Sequence, residues 1–421
     1  MPAIIVFAAV LLVFWLADGR AAGRTGAMAG AAIAVVTLVL LAGNRFNGAD
    51  WINYKHAFDT LASTPGAVDA MVDSPFEWLF SLLLWAVGQA GLPYEATVFV
   101  IGVFNTWALL RVLRAMGVDS PGRTMALLMM IEGWTLFHEQ LRQSVAVSLC
   151  LLAMLGALRG HWGSAALLWV AAMGFHSSAV IAVGWLPLAR QVQRNANRPV
   201  SLVWAVLLGI LAFGVISGGL ALVRDGLLPL PGIDRLKNKL ELYEEHDVFG
   251  GALFTAGMLG YAVGFVLLMA TRRIVLERRE FWLSTSYSFA VLWAVLGPLL
   301  RTEAILIRFE HYLLIFLPLA FGLLYARPAA VSPAALPAAP ATPPRPRPSF
   351  VLSGLIVIFA VTFPLRVFVN PENVVWSLDY QNDLVFPALG LELEDDTVRE
   401  TLVCANLALF DNDFCGREPG S

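Results

Sequence analysis

The chain has 421 residues, 58% of them hydrophobic and 14% charged, with a mean hydropathy of +0.71. Soluble domains run nearer ~45–50% apolar and ~25% charged, and a soluble chain this apolar lacks the polar groups to cover its surface. The composition therefore excludes a cytosolic globular enzyme. The net charge of −3 hides an asymmetry. From Asn370 onward eleven Asp and Glu face only Arg399 and Arg417, a net of −9, which leaves the rest of the chain at +6. The arginines sit in small groups at the ends of apolar runs, so no basic patch for nucleic acid forms.

Taken in chain order, apolar runs long enough for candidate spans fall at 2–17, 26–43, 75–90, 95–113, 124–137, 141–158, 163–188, 200–223, 251–271, 281–300, 304–326 and 350–369. A spanning helix needs ~20 mostly apolar residues. The pattern predicts an all-α, polytopic integral membrane protein of about 12 transmembrane helices, some of them short or re-entrant. The first run lacks a basic leader and reads as a retained anchor rather than a cleaved signal peptide. No polar stretch is long enough for a nucleotide-binding domain, so the chemistry falls to the membrane domain (1–326) and its loops. After it come an Ala/Pro-rich linker (327–349), too proline-rich for a helix, a last span (350–369) and the acidic tail (370–421).

Cytoplasmic loops are enriched in Lys and Arg. That rule places the loops at 18–25, 111–123, 190–198, 272–280 and 327–349 inside, and 44–74, 224–250 and the tail outside. The second half alternates without conflict. The first half does not: two spans lie between outer loop 44–74 and inner loop 111–123, where an odd number is required. Segment 163–188 raises the same difficulty and reads as a hairpin turning near Gly174-Phe175-His176. Irregular backbone at membrane depth is tolerated only inside protein or along a water-filled cavity. Of the three cysteines, Cys150 lies in an apolar run and reads as a small core residue. Cys404 and Cys415 lie in the tail, as free thiols or, in an oxidising compartment, as a disulfide.

Ionisable groups within spans are costly and are functional candidates. Four clusters stand out. His138-Glu139-Gln140-Leu141-Arg142-Gln143 interrupts two apolar runs. At helical spacing His138 and Arg142 share a face and Glu139 lies one turn from Arg142, which is also what a neutralised polar loop would carry. It is not the HExxH zinc motif, because position 142 is Arg. His176 is an isolated titratable group in a long uncharged stretch; imidazole titrates near neutral pH, although a lone histidine is commonly structural. Arg301, Glu303, Arg308, Glu310, His311 and Tyr312 flank and enter a late span, with Arg301 and Arg308 on one face and Tyr312 one turn beyond. The outer loop carries Asp50, Trp51, Tyr54 and Lys55, with Glu77 following; this mixture suits sugar binding, and for Trp51 equally an interfacial aromatic belt. No Walker A loop, GxSxG elbow or metal-ligand spacing occurs, so no cofactor is expected.

In this order the features resemble the EpsG family of bacterial exopolysaccharide polymerases, which are similar in role to Wzy-type polymerases. The resemblance rests on Asp50 and Tyr54 after the second span, Glu77 opening the next, Leu141-Arg142-Gln143 leading into a span, Phe175-His176-Ser177-Ser178-Ala179, and Arg308 with Tyr312. It covers roughly residues 44–320 and leaves out the linker and tail. It implies polymerisation of polyprenyl-diphosphate-linked oligosaccharide repeat units at the outer face of the inner membrane, without a nucleotide, in contact with membrane lipid and alongside chain-length-regulating and flippase proteins. The residues suit that chemistry. Arginine binds diphosphate through its planar fork, which makes Arg142 and Arg308 the candidate diphosphate ligands. His176 is the first candidate base and Glu139 the second. Asp50, Tyr54, Glu77, His138, Gln143, Arg301, Glu310, His311 and Tyr312 would bind sugar or support the site. A glycan ligase, a flippase of lipid-linked sugars and a membrane acyltransferase are the competing readings.

Overall fold

A computed structural model describes residues 14, 24–45, 50–118, 121–224, 251–300, 306–326 and 346–363, and short pieces of the tail between 381 and 404. The architecture is all-helical, with no strand among the described residues. Among the described residues five helices are long and apolar enough to cross a membrane: Tyr94–Ala115, Leu141–Leu158, Met258–Arg278, Phe281–Leu300 and Arg308–Tyr325. Five shorter apolar helices join them: Ala32–Ala42, Trp78–Gln89, Trp162–Phe175, Leu202–Val215 and Phe350–Thr362. Ten of the expected spans thus appear as apolar helices, and the protein is a polytopic membrane protein. The first expected span except Phe14, nearly all of loop 224–250, most of the linker, Arg301, Glu303 and Cys415 lie outside the described residues.

The chain divides into two compact units. The first contains α1 (Arg24–Ala42), α2 (Trp51–Ala62), α3 (Ala67–Asp73), α4 (Trp78–Gln89), α5 (Tyr94–Ala115), α6 (Gly122–Leu128), a π-helix (Met129–Glu139), α7 (Leu141–Leu158) and α8 (Trp162–Phe175). Helix α7 is its axis. Of its apolar window 89% is buried inside the protein, and a helix apolar on every side needs such a surround. Its hydroxyls are paired across to α5: Asn105 donates to Ser144 Oγ at 2.8 Å, and Ser148 donates to Asn105 Oδ1 at 2.8 Å. Such interhelical bonds contribute about 0.6–2 kcal/mol in an apolar medium.

The segment expected as outer loop 44–74 is instead folded into α2 and α3. Trp51 is only 3% exposed, so it is a core residue and not part of an interfacial belt. Helix α2 packs along α4. The far end of α4 is tied to the end of α2, where Gln89 donates to the Ala62 and Thr64 carbonyls and Trp85 donates to Thr64. Twelve residues at about 1.5 Å each span only ~18 Å, well short of a ~30 Å hydrocarbon core. Span 75–90 is therefore a short helix that α2 holds at both ends, through Tyr54 against Phe76 and Phe80 at one and through these bonds at the other.

The acidic tail is not merely solvated. Arg45 donates to Asp383 at 2.9 Å and to Asp396 at 2.8 Å. His56 lies 3.0 Å from Glu400, and a single β-bridge joins Asn44 to Asn382. Asn382 also donates to the Val39 carbonyl at 2.9 Å, and Asn44 donates to that of His138 at 3.2 Å. Cys404 is disulfide-bonded and Cys150 is a buried free thiol.

The second unit contains α9 (Trp185–Arg194), α10 (Leu202–Arg224), α11 (Gly251–Arg278), α12 (Phe281–Leu300), α13 (Ile307–Leu314), α14 (Phe316–Tyr325) and α15 (Phe350–Thr362). Helix α12 packs against α9, α10, α11, α13 and α14. Its polar side chains close onto backbone: Ser284 donates to Asn197 O at 2.6 Å and Tyr287 to Leu268 O at 3.0 Å. The expected span 304–326 is split at Ile315. Pro318 explains the break, because it lacks the N–H that would bond the Leu314 carbonyl.

Candidate functional site

The first unit gathers polar groups from four separated stretches of sequence. Helix α7 begins at Leu141 after a non-helical Gln140 (φ −97°, ψ 66°). This break means that His138 and Glu139, at the end of the π-helix, do not continue the face that carries Arg142. The expected Glu139–Arg142 pairing is replaced by another. Arg142, one residue into α7, forms its ion pair with Glu77, the residue before α4. The Arg142 side chain is 7% exposed and that of Glu77 16%.

Glu77 uses its second oxygen elsewhere. Oε1 accepts from the Ser177 backbone N–H at 3.1 Å and from its hydroxyl at 3.2 Å. The carboxylate thus links the start of α7 to the turn that follows α8, where His176 is extended (φ −156°, ψ 118°). Helix α8 ends where the sequence placed a break, and a 3-10 helix (Ser177–Gly184) follows. Gly174 allows this approach: a Cβ there would meet the Trp78 ring and Leu79 Cδ1 at 2.8 Å.

Three aromatic rings wall the guanidinium. Its carbon lies 4.5 Å from the Phe76 centroid, 5.6 Å from Tyr54 and 5.9 Å from Phe80, and the rings meet edge to face. Cation–π attraction strengthens when water is excluded. The Tyr54 hydroxyl donates to Asp50 at 2.9 Å. Burial first, then the Asp50 charge, push that phenol above its ordinary range, so it stays protonated as a donor. One donor of the guanidinium is unused: buried Arg142 Nε has no hydrogen-bond partner among the described residues. It lies at a helix N-terminus, where free N–H groups and the dipole favour anions.

His176 is 5% exposed. Its Nδ1 accepts from the Ser178 N–H at 3.3 Å and lies 2.6 Å from Ser178 Oγ. A neutral ring held in this way carries its proton on Nε2. The next residue, Ser177, is the one bonded to Glu77.

The structure brings together Asp50, Tyr54, Glu77 and Arg142, with His176 beside them. His138 and Gln143 are buried in the same unit and Glu139 is half-buried. Arg308, Glu310, His311 and Tyr312 belong to the second unit. There Glu310 accepts from Trp293 Nε1 at 3.1 Å. Tyr312 is fully buried among Trp185, Phe289 and Phe316, and Arg308 is half-buried. Arg301 falls outside the described residues. No group of three metal-ligating side chains occurs among the described residues.

Sequence reasoning missed Phe76 and Phe80, Ser177 and Ser178 as working partners, and Glu132. The last is a fully buried carboxylate inside the π-helix, and π segments recur at functional sites. Its signal was available, because it is an acid inside an apolar run.

An all-helical membrane protein with a buried arginine–carboxylate node at helix ends is the class these features define. The EpsG family matches residues 30–329, which is most of the chain, and the protein belongs to that family of exopolysaccharide polymerases. Neither the curated proteins nor the solved structures gave a match.

Proposed function

We propose that the protein joins polyprenyl-diphosphate-linked oligosaccharide repeat units into exopolysaccharide at the outer face of the inner membrane, with no nucleotide. One observation carries the reading: a buried guanidinium at a helix N-terminus, fixed by Glu77 and three rings, with Nε still unused. A glycosyl diphosphate already holds its leaving group, so the enzyme must supply position and charge stabilisation. Arg142 would take a diphosphate oxygen through Nε, while Glu77 keeps the fork in place. Arg308 is the second candidate for the diphosphate.

The acceptor hydroxyl must lose its proton as the glycosidic bond forms. Because Nδ1 of His176 faces Ser178, the proton would pass through Ser178 Oγ to Nδ1, and the imidazolium would rest beside the Glu77 carboxylate. Glu139 remains the second candidate base. Asp50, Tyr54, His138 and Gln143 are supporting positions in the first unit. The tail disulfide at Cys404 suits an oxidising compartment, which supports an extracytoplasmic tail together with the outer segment it grips.

The test is purified protein with its lipid-linked repeat unit and no nucleotide. A ladder of products is expected. A single capped product would mean a ligase, and unchanged substrate moved between leaflets a flippase.

A further inference from the structure

Away from this site, α1 and α5 enclose a cleft of about 580 Å³ with two unlike ends. Its wall along α5 follows one helix face, Val103, Trp107 and Arg111 succeeding one another at one-turn intervals. Val35 of α1 faces the same space. These apolar groups are open to the outside of the protein: Val35 is 57% exposed, Trp107 52% and Val103 38%. At the other end stand three guanidinium groups, Arg111 and Arg114 from the last turns of α5 and Arg159 just after α7.

The three arginines have no carboxylate partner among the described residues. Arg111 instead lies over the Trp107 ring at 5.9 Å. Three like charges around one space repel, and an anion placed between them relieves that repulsion. The volume falls within the ~300–1,000 Å³ of ordinary ligand sites. Charge bias puts this end on the cytoplasmic side. An occupant must therefore join a phosphate-like head to an apolar tail that lies along a lipid-facing groove.

We propose that the cleft binds one anionic glycerophospholipid of the cytoplasmic leaflet, its phosphate held by Arg111, Arg114 and Arg159 and one acyl chain lying along Val35, Val103 and Trp107. The site is independent of the polymerase reading, because it uses none of the residues placed in that chemistry.

Native mass spectrometry of the full chain, delipidated and titrated with phosphatidylglycerol or phosphatidylcholine, tests it. Wild type should retain one phosphatidylglycerol in preference to phosphatidylcholine by about tenfold or more. The triple variant Arg111→Gln, Arg114→Gln, Arg159→Gln should lose that preference. Val103→Trp fills the apolar part, leaves every arginine in place, and should also release the lipid. Excess inorganic phosphate should leave the lipid bound. Equal retention of the two lipids by wild type, undiminished binding by either variant, or displacement by inorganic phosphate alone would overturn the proposal. If the triple variant does not fold, Val103→Trp decides it.

Discussion

The node around Arg142 and the cluster around Glu310 arise from the same sequence signal, charged residues inside apolar helices, yet they are built differently. Glu77 meets Arg142 across 65 residues and Ser177 across 100, and all three lie at helix ends, where backbone donors are free. Glu310 meets Trp293 across 17 residues, between adjoining helices beside an aromatic stack. The first arrangement spends buried charge on groups that no packing requires and leaves a donor open. The second closes a carboxylate inside the core. A charge in a span is thus a reason to look, and where it sits on its helix and what it is bonded to tell what it does.

That contrast can be broken by substitution. Glu77→Ala should have the largest effect, because it strands a buried guanidinium; losses of this kind cost about 3–5 kcal/mol. A Tm in detergent equal to that of wild type would show that Arg142 does not depend on it. Arg142→Lys keeps the charge and loses the fork, and polymer formation should drop about a hundredfold or more while the protein still inserts. Wild-type polymer length on a gel would count against a diphosphate role. His176→Ala and Ser178→Ala should each slow polymerisation by about 10²–10⁴ if they pass one proton. A fully active Ser178→Ala beside a dead His176→Ala would move the working atom to Nε2.

Smaller effects sharpen the other half. Trp293→Phe removes the donor to Glu310 and should cost about 1–3 kcal/mol of stability, read by thermal unfolding, with polymer yield unchanged. A collapse of yield at full stability would return Glu310 to the chemistry. Tyr54→Phe keeps the ring against Arg142 and loses the hydroxyl's bonds to Asp50 and to the Arg142 guanidinium, about 0.5–1.5 kcal/mol each; a loss of activity well beyond that would make the hydroxyl a sugar contact.

Hydropathy alone located ten of the apolar helices, because each is a local run of residues whose burial needs no partner to be read. The break at His176 was legible for the same reason: a polar group interrupts an uncharged run. What stayed hidden was pairing at long range. Nothing near Arg142 points to Glu77, and helical spacing pointed to Glu139, because it cannot register a break such as Gln140. The run at 75–90 was already short for a span, and α4 trims it to twelve residues. The tail's contacts could not be read either, because a carboxylate's partner, here Arg45, leaves no mark on the segment that carries it.

That last pairing sets an order of assembly. Arg45 lies 338 and 351 residues before the two carboxylates it grips. At ~5–20 residues per second of synthesis, it waits roughly 17–70 s for them to be made. The segment that carries Arg45 is therefore among the last parts of the first unit to mature, and a nascent chain stopped before Asp383 would carry that segment with its latch still open.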